Sequence, residues 1–122
     1  MSTVLVIDDQ DLDRKIAVDI VNEMGHTAIP VNSAEEGIRR AKETKPSLIL
    51  MDVVMKDQKI DGYGACKQIK SDEVTKNIPV IFVTTKGTPV DKMWALKQGG
   101  VDLVAKKYTP DQLKAVIKKH LI

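Results

Sequence analysis

Short apolar segments and amphipathic segments alternate five times along this chain, and no other feature constrains its fold as strongly. The apolar runs have the length of strands, and each is followed by a stretch whose apolar positions recur at helical spacing. Strict strand–helix alternation with short connections predicts a doubly wound α/β fold, in which five parallel strands are covered by helices on both faces. The predicted strands are Thr3–Ile7, Thr27–Val31, Ser47–Met51, Val80–Val83 and Val101–Ala105.

Two of these runs indicate their own place in the sheet. Ser47–Met51 is apolar without alternation, which is typical of a strand buried on both faces, so we expect it at the centre. Pro30 lies inside the second run, and because proline has no N–H to donate, that strand is expected at an edge.

The helical segments show start signals and apolar faces. Ser33, Thr88 and Thr109 are expected N-caps, and a proline follows each threonine. The apolar positions of the first and fourth helices are expected to face the core, with the tryptophan partly buried in helix packing. They are Leu12, Ile16, Ile20 and Met24 in the first helix, with Ala17 and Val21 beside them, and Val90, Met93, Trp94 and Leu96 in the fourth.

Polar residues of different kinds follow four of the predicted strands. The carboxyl ends of parallel strands lie along one edge of a sheet, which is where α/β folds place their ligands. The strand ends carry Asp8 and Asp9, Asp52, Thr84 and Thr85, and Lys106 and Lys107. We therefore expect carboxylates, a hydroxyl and an ammonium to converge there.

The three carboxylates of Asp8, Asp9 and Asp52 would repel one another unless a cation lay among them. Mg2+ prefers oxygen ligands, takes only a few carboxylates and keeps water or phosphate oxygens in its other positions. The two histidines and the single cysteine lie elsewhere in the sequence, which argues against zinc or copper. The pattern favours a magnesium site.

The other strand-end residues suit a phosphoryl group. Lys106 is a flexible point cation and Thr84 offers a hydroxyl, so both can contact phosphoryl oxygens. Asp52 ends the central strand and can act as a carboxylate nucleophile that forms an acyl phosphate. The chain has neither a Walker-type loop nor a Gly-x-Gly-x-x-Gly motif, so the phosphodonor is expected to be another molecule.

Length and composition limit the remaining possibilities. With 122 residues, 43% hydrophobic and 30% charged, the chain has the size and composition of one globular domain, and we expect residues 1–122 to form a single domain without an output domain. It has no apolar run of the roughly 20 residues that span a bilayer and no basic leader. Its only cysteine, Cys66, excludes an internal disulfide. A cytoplasmic protein without membrane insertion is expected.

Charge is distributed unevenly along the chain. Residues 1–55 carry ten acidic and six basic side chains, whereas residues 86–122 carry three acidic side chains and eight lysines. The lysines form either solvated helix faces or a docking face for an acidic partner. Aromatic residues make up only 3% of the chain, so direct nucleic-acid binding is not expected.

With these motifs in place, the whole chain resembles the receiver domain of bacterial two-component response regulators. The matching segments are Val6–Asp9, Leu48–Asp52, Val83–Thr85 and Gly99–Leu113, with Lys106 in the position of the family's lysine. The resemblance implies a flavodoxin-like (βα)5 fold with strand order 2-1-3-4-5. Lys86-Gly87, Asp91, Trp94 and Lys97–Gly99 are further similar to stand-alone receivers of pilus-motility and phototaxis clusters.

The resemblance also implies roles for individual residues. A histidine kinase would phosphorylate Asp52, and Thr84 and Lys106 would contact the phosphoryl group. The implied Mg2+ ligands are Asp9, Asp52 and the backbone carbonyl of Val54, with Asp8 acting mainly through water. The output would be altered binding of a protein partner on the face formed by the fourth helix, fifth strand and fifth helix, the lysine-rich part of the chain.

The sequence departs from the family pattern near the site. Lys107 replaces the usual proline after the lysine, which puts the family's cis peptide bond in question and makes Lys107 an alternative to Lys106. Leu103 replaces the usual switch aromatic, so a rotating tyrosine or phenylalanine is not expected. Lys56 replaces a proline in a loop that is about two residues longer than common, and Thr85 is bulkier than usual.

We therefore expect a single-domain response regulator, a signalling phosphoacceptor rather than an enzyme, which assists its own phosphorylation and dephosphorylation. It would either switch a protein partner or drain phosphoryl groups from a kinase. The alternative is a docking module that is never phosphorylated, which the intact acidic set, Thr84 and Lys106 disfavour. A Mg2+-dependent phosphatase would need an acid two residues beyond its nucleophile, where this chain has Val54.

Overall fold

The structure is a computed structural model that describes residues 1–121, and this part of the chain contains five strands and five helices in strict alternation. The strands are β1 (Thr3–Ile7), β2 (Thr27–Val31), β3 (Leu48–Met51), β4 (Val80–Thr84) and β5 (Asp102–Ala105). The helices are α1 (Asp11–Glu23), α2 (Ala34–Thr44), α3 (Gly62–Ser71), α4 (Pro89–Lys97) and α5 (Pro110–His120). Among these described helices, none combines the length and the apolar character needed to cross a membrane.

The sheet has the predicted topology. All strand pairs are parallel, and the strand order is β2-β1-β3-β4-β5, which confirms the doubly wound fold. The central strand is β3, and all four of its residues are buried. Pro30 lies in the edge strand β2, as its missing N–H predicted.

The core consists of two apolar layers, one on each face of the sheet. Successive strand residues point to opposite faces, so each strand contributes to both layers. The layer under α2, α3 and α4 contains Leu5, Ile49, Met51 and Phe82. The layer under α1 and α5 contains Val4, Val6, Leu50 and Ile81. Full burial of side chains of this size stabilises a fold by roughly 1.5–3 kcal/mol each, so the strand ends that carry the polar residues are firmly placed.

The predicted caps begin three helices. The Ser33 hydroxyl accepts a hydrogen bond from the Glu36 N–H at 3.2 Å at the start of α2. Thr88 and Thr109 form capping boxes at the starts of α4 and α5, each followed by proline at the first helical position.

The predicted apolar face of α1 is correct at Ala17, Ile20 and Val21 but wrong at Leu12 and Ile16. Leu12 is 70% exposed and Ile16 is 42% exposed, whereas Ala17 and Ile20 are buried. The buried face of α1 is centred on Ala17, Ile20 and Val21, and at 100° per residue Ile16 and then Leu12 lie progressively further round the helix from it.

The prediction that the apolar face of α4 packs against the core is wrong. Ala95 is the buried residue of this helix, and Val90, Met93, Trp94 and Leu96 are exposed. Val90, Met93 and Trp94 do share one helix face, as their spacing predicted, but that face points to solvent. The helix approaches the sheet closely at Ala95. Nearby Gly100 shows how little space there is, since a Cβ at that position would overlap the Phe82 ring and lie tightly against the Ala95 carbonyl. A large side chain on that face would not fit.

Candidate functional site

The polar strand-end residues meet at the carboxyl edge of the sheet. Lys106 Nζ lies 3.0 Å from Asp8 Oδ2 and 3.1 Å from Asp52 Oδ2. The side chains of Asp8 and Asp52 are 8% and 5% exposed. Two carboxylates and an ammonium from three different strand ends therefore share one largely dry position.

The backbone of the sheet holds these residues in place. The Asp8 N–H donates to the Val31 carbonyl at 3.0 Å, and the Asp52 N–H donates to the Ile7 carbonyl at 2.9 Å. The Lys106 N–H donates to the Thr84 carbonyl at 2.7 Å. These bonds extend the strand ladders by one residue, so each site residue is positioned by its neighbouring strand.

Gly62, the first residue of α3, allows the chain to pass close behind Asp52. A Cβ on Gly62 would overlap the carbonyl of Asp52, and the Gly62 N–H donates to the Val53 carbonyl at 2.8 Å. Only glycine fits this approach without a backbone shift.

Asp13 is a member of the site that was not expected from the sequence. Its Oδ2 accepts a hydrogen bond from Lys106 Nζ at 2.9 Å. Asp13 lies in the first turn of α1, where acids are common because they favour the helix N-terminus. The only sequence signal was its position five residues after Asp8, which without the direction of α1 does not point to Lys106.

Burial and like charge determine the ionisation of the site. Burial, reinforced by the charge of Asp8, raises the pKa of Asp52 from 3.8 to about 6, although Lys106 opposes the change. Burial also raises the pKa of Asp8. Burial alone would lower the pKa of Lys106, but the carboxylates of Asp13, Asp8 and Asp52 raise it instead, so this ammonium stays protonated.

The acidic residues fit a bound cation. Carboxylate oxygens of Asp8, Asp9 and Asp52 all lie within 4.8 Å of one another. Asp9 Oδ2 accepts the Lys56 N–H at 2.9 Å, but Asp9 Oδ1 is buried and has no hydrogen-bond partner in the described part of the chain. A buried carboxylate oxygen without a partner is costly, and a hard cation held by oxygen ligands would satisfy it.

The structure also gives the positions of the other residues predicted for the site, namely Thr84, Val54 and Lys107. The Thr84 side chain is fully buried, and its hydroxyl accepts the Lys86 N–H at 3.3 Å rather than contacting Asp52. The Val54 side chain is about half exposed. Lys107 has a left-handed backbone (φ 68°) and its side chain is exposed. Of the two lysines, Lys106 is the one that contacts the described carboxylates. Residues 1–121 contain no cis peptide bond.

Leu103 and the long β3–α3 loop also have clear positions. Leu103 is buried in the layer that contains Phe82 and Ala95. In the loop, Gln58 accepts the Ala34 N–H at 2.7 Å and donates to the Asn32 carbonyl at 3.4 Å. The loop therefore folds onto the start of α2, while the Lys56 N–H contacts the acidic cluster.

Known proteins are similar to this chain in sequence. The family model of the response regulator receiver domain matches residues 4–118. Protein PilH of Pseudomonas aeruginosa is 32% identical over 121 residues, which cover 99% of this chain and 98% of PilH. The sensor histidine kinase CheAY of Helicobacter pylori is 31% identical over 120 residues, 97% of this chain but 15% of that protein. The chain also spans only 44–48% of several other relatives.

A solved structure shows the same fold. The receiver domain of sensor histidine kinase PA1611 from Pseudomonas aeruginosa PAO1, a structure with a magnesium ion coordinated in the active site cleft, superposes with a TM-score of 0.88. It is 22% identical, and the match covers 98% of this chain and 97% of that one.

Proposed function

This chain belongs to the response regulator receiver domain family, and on that premise we propose that it is a phosphorylation switch whose phosphoacceptor is Asp52. The observation that carries the proposal is the position of the Asp52 carboxylate, buried at the end of the central strand and 3.1 Å from the Lys106 ammonium. Receiver domains are signalling phosphoacceptors of two-component systems, and the intact set of acids with Lys106 disfavours a docking module that is never phosphorylated.

The proposed reaction is transfer of a phosphoryl group from a histidine kinase. One oxygen of Asp52 forms a bond to phosphorus, the bond from phosphorus to the kinase imidazole nitrogen breaks, and the imidazole leaves with the electron pair. With a pKa of about 6, Asp52 is mostly ionised at neutral pH and can act as the nucleophile. Lys106 neutralises charge on the phosphoryl oxygens, which is the main demand of phosphoryl transfer.

Thr84 has a separate proposed role. It ends β4, next to the strand that carries Asp52, and its hydroxyl is buried. A hydroxyl has one proton to donate, and we propose that this proton bonds a phosphoryl oxygen and draws the β4–α4 loop towards the site. That motion would connect phosphorylation to α4.

The donor set favours Mg2+ as the cofactor. We propose that Asp9, Asp52 and the Val54 carbonyl hold it, with Asp8 acting mainly through water. When bound, the ion would neutralise phosphoryl charge and align the donor with the carboxylate. The orphaned Asp9 Oδ1 and the mutual approach of the three carboxylates support this assignment.

The proposed output is altered binding of a protein partner at the face of α4, β5 and α5. Helix α4 carries an exposed stripe formed by Val90, Met93, Trp94 and Lys97. Apolar side chains flanked by lysine suit a protein surface that presents apolar and acidic groups. We propose that the chain acts as this switch on its own and does not bind nucleic acid directly.

Intact mass measured after incubation with Mg2+ and phosphoramidate tests the phosphoacceptor. We expect a single phosphoryl adduct on the wild type, none on Asp52→Asn, and a normal adduct on Asp57→Asn. Asp57 is a suitable control because it lies in the adjacent loop with a left-handed backbone (φ 57°) that asparagine tolerates. An adduct that persists in Asp52→Asn would refute the assignment, and no adduct on the wild type from either phosphoramidate or a histidine kinase would favour the docking module.

A further inference from the structure

Carboxylates surround the Lys106 ammonium before any phosphoryl group arrives. Its Nζ lies 2.9 Å from Asp13, 3.0 Å from Asp8 and 3.1 Å from Asp52. An ammonium has three protons to donate, and this one donates hydrogen bonds to Asp13 and Asp52 while Asp8 forms an ion pair with it. A phosphoryl oxygen must compete with these carboxylates for Lys106.

The three carboxylates are not equally easy to release. Asp8 is 8% exposed, so its carboxylate would be left in a dry environment without its counter-ion. Asp52 gives up its carboxylate charge when its oxygen bonds to phosphorus. Asp8 and Asp13 are therefore the acids that keep their hold on Lys106 after phosphorylation. Asp13 is 41% exposed, and water can solvate its carboxylate as soon as Lys106 turns away. Asp13 also lies outside the trio of carboxylates that could hold a cation.

The space for such a movement is present. A cavity of about 160 Å³ lies beside the site between α1 and the β5–α5 loop, and Asp13, Asp52 and Lys106 are among its lining residues. The rest of its wall is largely apolar, with Ile16 and Val83 among the contributors. The cavity therefore offers the ammonium room to exchange partners.

We infer that Asp13 is a positioning residue that holds Lys106 in the unphosphorylated state and competes with the phosphoryl group for it. The inference rests on the proposed phosphorylation of Asp52 and adds a residue that opposes it. Phosphorylation draws the Lys106 ammonium towards a phosphoryl oxygen, and the hydrogen bond from Lys106 to Asp13 opposes that movement. The acid on α1 thereby sets how strongly the site retains its phosphoryl group.

Removal of this competitor should strengthen binding of a phosphoryl analogue. We propose calorimetric titration with beryllofluoride in Mg2+ buffer for the wild type, Asp13→Asn, Asp13→Glu and Asp11→Asn. Asp13→Asn is expected to bind about three- to fivefold more tightly, because a partly exposed ion pair no longer competes. Asp13→Glu, which keeps the carboxylate on a flexible side chain, should return the affinity towards that of the wild type.

Asp11→Asn is the matched control. Asp11 lies in the same turn of α1, but it pairs with Arg14 at 2.7 Å and does not contact Lys106. It loses the same unit of negative charge and the same favourable position at the helix N-terminus. We expect its affinity for beryllofluoride to stay within about twofold of the wild type, since an exposed charge at that distance is screened by salt.

The outcomes separate the two proposals. If Asp13→Asn and Asp11→Asn strengthen binding equally, or if Asp13→Asn does not strengthen it, the role of Asp13 is refuted while Asp52 remains the phosphoacceptor. If the wild type neither binds beryllofluoride nor takes up a phosphoryl group, the proposed function and this inference are both refuted. A proton NMR spectrum of each variant verifies that the fold is intact.

Discussion

Replacement of Asp52 by asparagine should stabilise this protein when no divalent cation is present. The folded state raises the pKa of this carboxyl from 3.8 to about 6, mainly because the carboxylate is buried. The folded state therefore binds the proton more tightly than the unfolded chain does, and ionisation at neutral pH costs stability. Two pKa units at about 1.36 kcal/mol each give an upper limit of about 3 kcal/mol. After relaxation of the site, we expect a gain of about 1–3 kcal/mol at pH 7.5.

The substitution leaves no isolated charge behind. Lys106 keeps its ion pairs with Asp8 and Asp13 when Asp52 becomes neutral. The repulsion between Asp52 and Asp8, which contributes to the raised pKa of Asp52, disappears at the same time. The stabilising effect therefore does not depend on repacking.

The assay is urea unfolding followed by far-ultraviolet circular dichroism in EDTA, at pH values from 4.5 to 7.5. Urea is preferred because guanidinium salts would screen the charges under study. Between the unfolded pKa near 4 and the folded pKa near 6, the wild type loses stability as pH rises, so the advantage of Asp52→Asn should be largest at pH 7.5 and small near pH 4.5. Mg2+ should stabilise the wild type more than the variant.

The control is Asp19→Asn, since Asp19 forms an exposed helix pair with Lys15. Exposed pairs contribute about 0.2–1 kcal/mol, so this variant should be slightly less stable than the wild type at pH 7.5. A lower stability of Asp52→Asn than of the wild type at pH 7.5 would refute the reasoning. A difference that does not vary with pH would refute it as well, because the effect would then come from shape rather than charge.

Two further predictions concern residues around the site and at the far edge of the sheet. Gly62→Ala should destabilise the protein by about 1–3 kcal/mol, because the new methyl group overlaps the Asp52 carbonyl; the urea midpoint measures this, and an unchanged midpoint would contradict it. Asp102 is buried, which raises its pKa, but His120, the Leu103 N–H and Lys92 together lower the pKa below its usual value. Ionised Asp102 therefore stabilises the folded state above the unfolded pKa near 4. This contribution is lost as pH falls through the lower folded pKa. Asp102→Asn should therefore cost about 1–3 kcal/mol at pH 7 and less near pH 3, and equal losses at both pH values would contradict the assignment.

The strand-end residues were predictable because a parallel sheet brings its carboxyl ends together whatever the details of its helices. Asp8, Asp52 and Lys106 follow strands whose apolar patterns are unambiguous, so topology alone places them side by side. Asp13 was not predictable, because its contact depends on the direction of α1 and on the reach of the Lys106 side chain. Neither quantity can be read from residue spacing.

The direction of α4 shows a second limit. The spacing of Val90, Met93 and Trp94 correctly predicted that they share a helix face, but periodicity does not say whether an apolar face is covered. Coverage depends on the distance between helix and sheet, and here Ala95 and Gly100 allow an approach too close for large side chains. Similarly, the length of the β3–α3 loop was visible in the sequence, but the contact of Gln58 with the start of α2 was not.

The charges at the site explain why stability and response should be separable in this protein. Asp8, Asp13 and Asp52 surround the Lys106 ammonium, and Asp9 lies beside Asp8 and Asp52. The carboxylates of the site therefore outnumber its ammonium groups in the described part of the chain unless a cation binds. A phosphoryl group adds about −1.5 to −2 charges and increases the demand on Lys106. Among the carboxylates paired with Lys106, only that of Asp13 is exposed enough to be released into water at low cost. Loss of charge at Asp52 should therefore raise stability and abolish the response, whereas loss of charge at Asp13 should change stability little and strengthen the response.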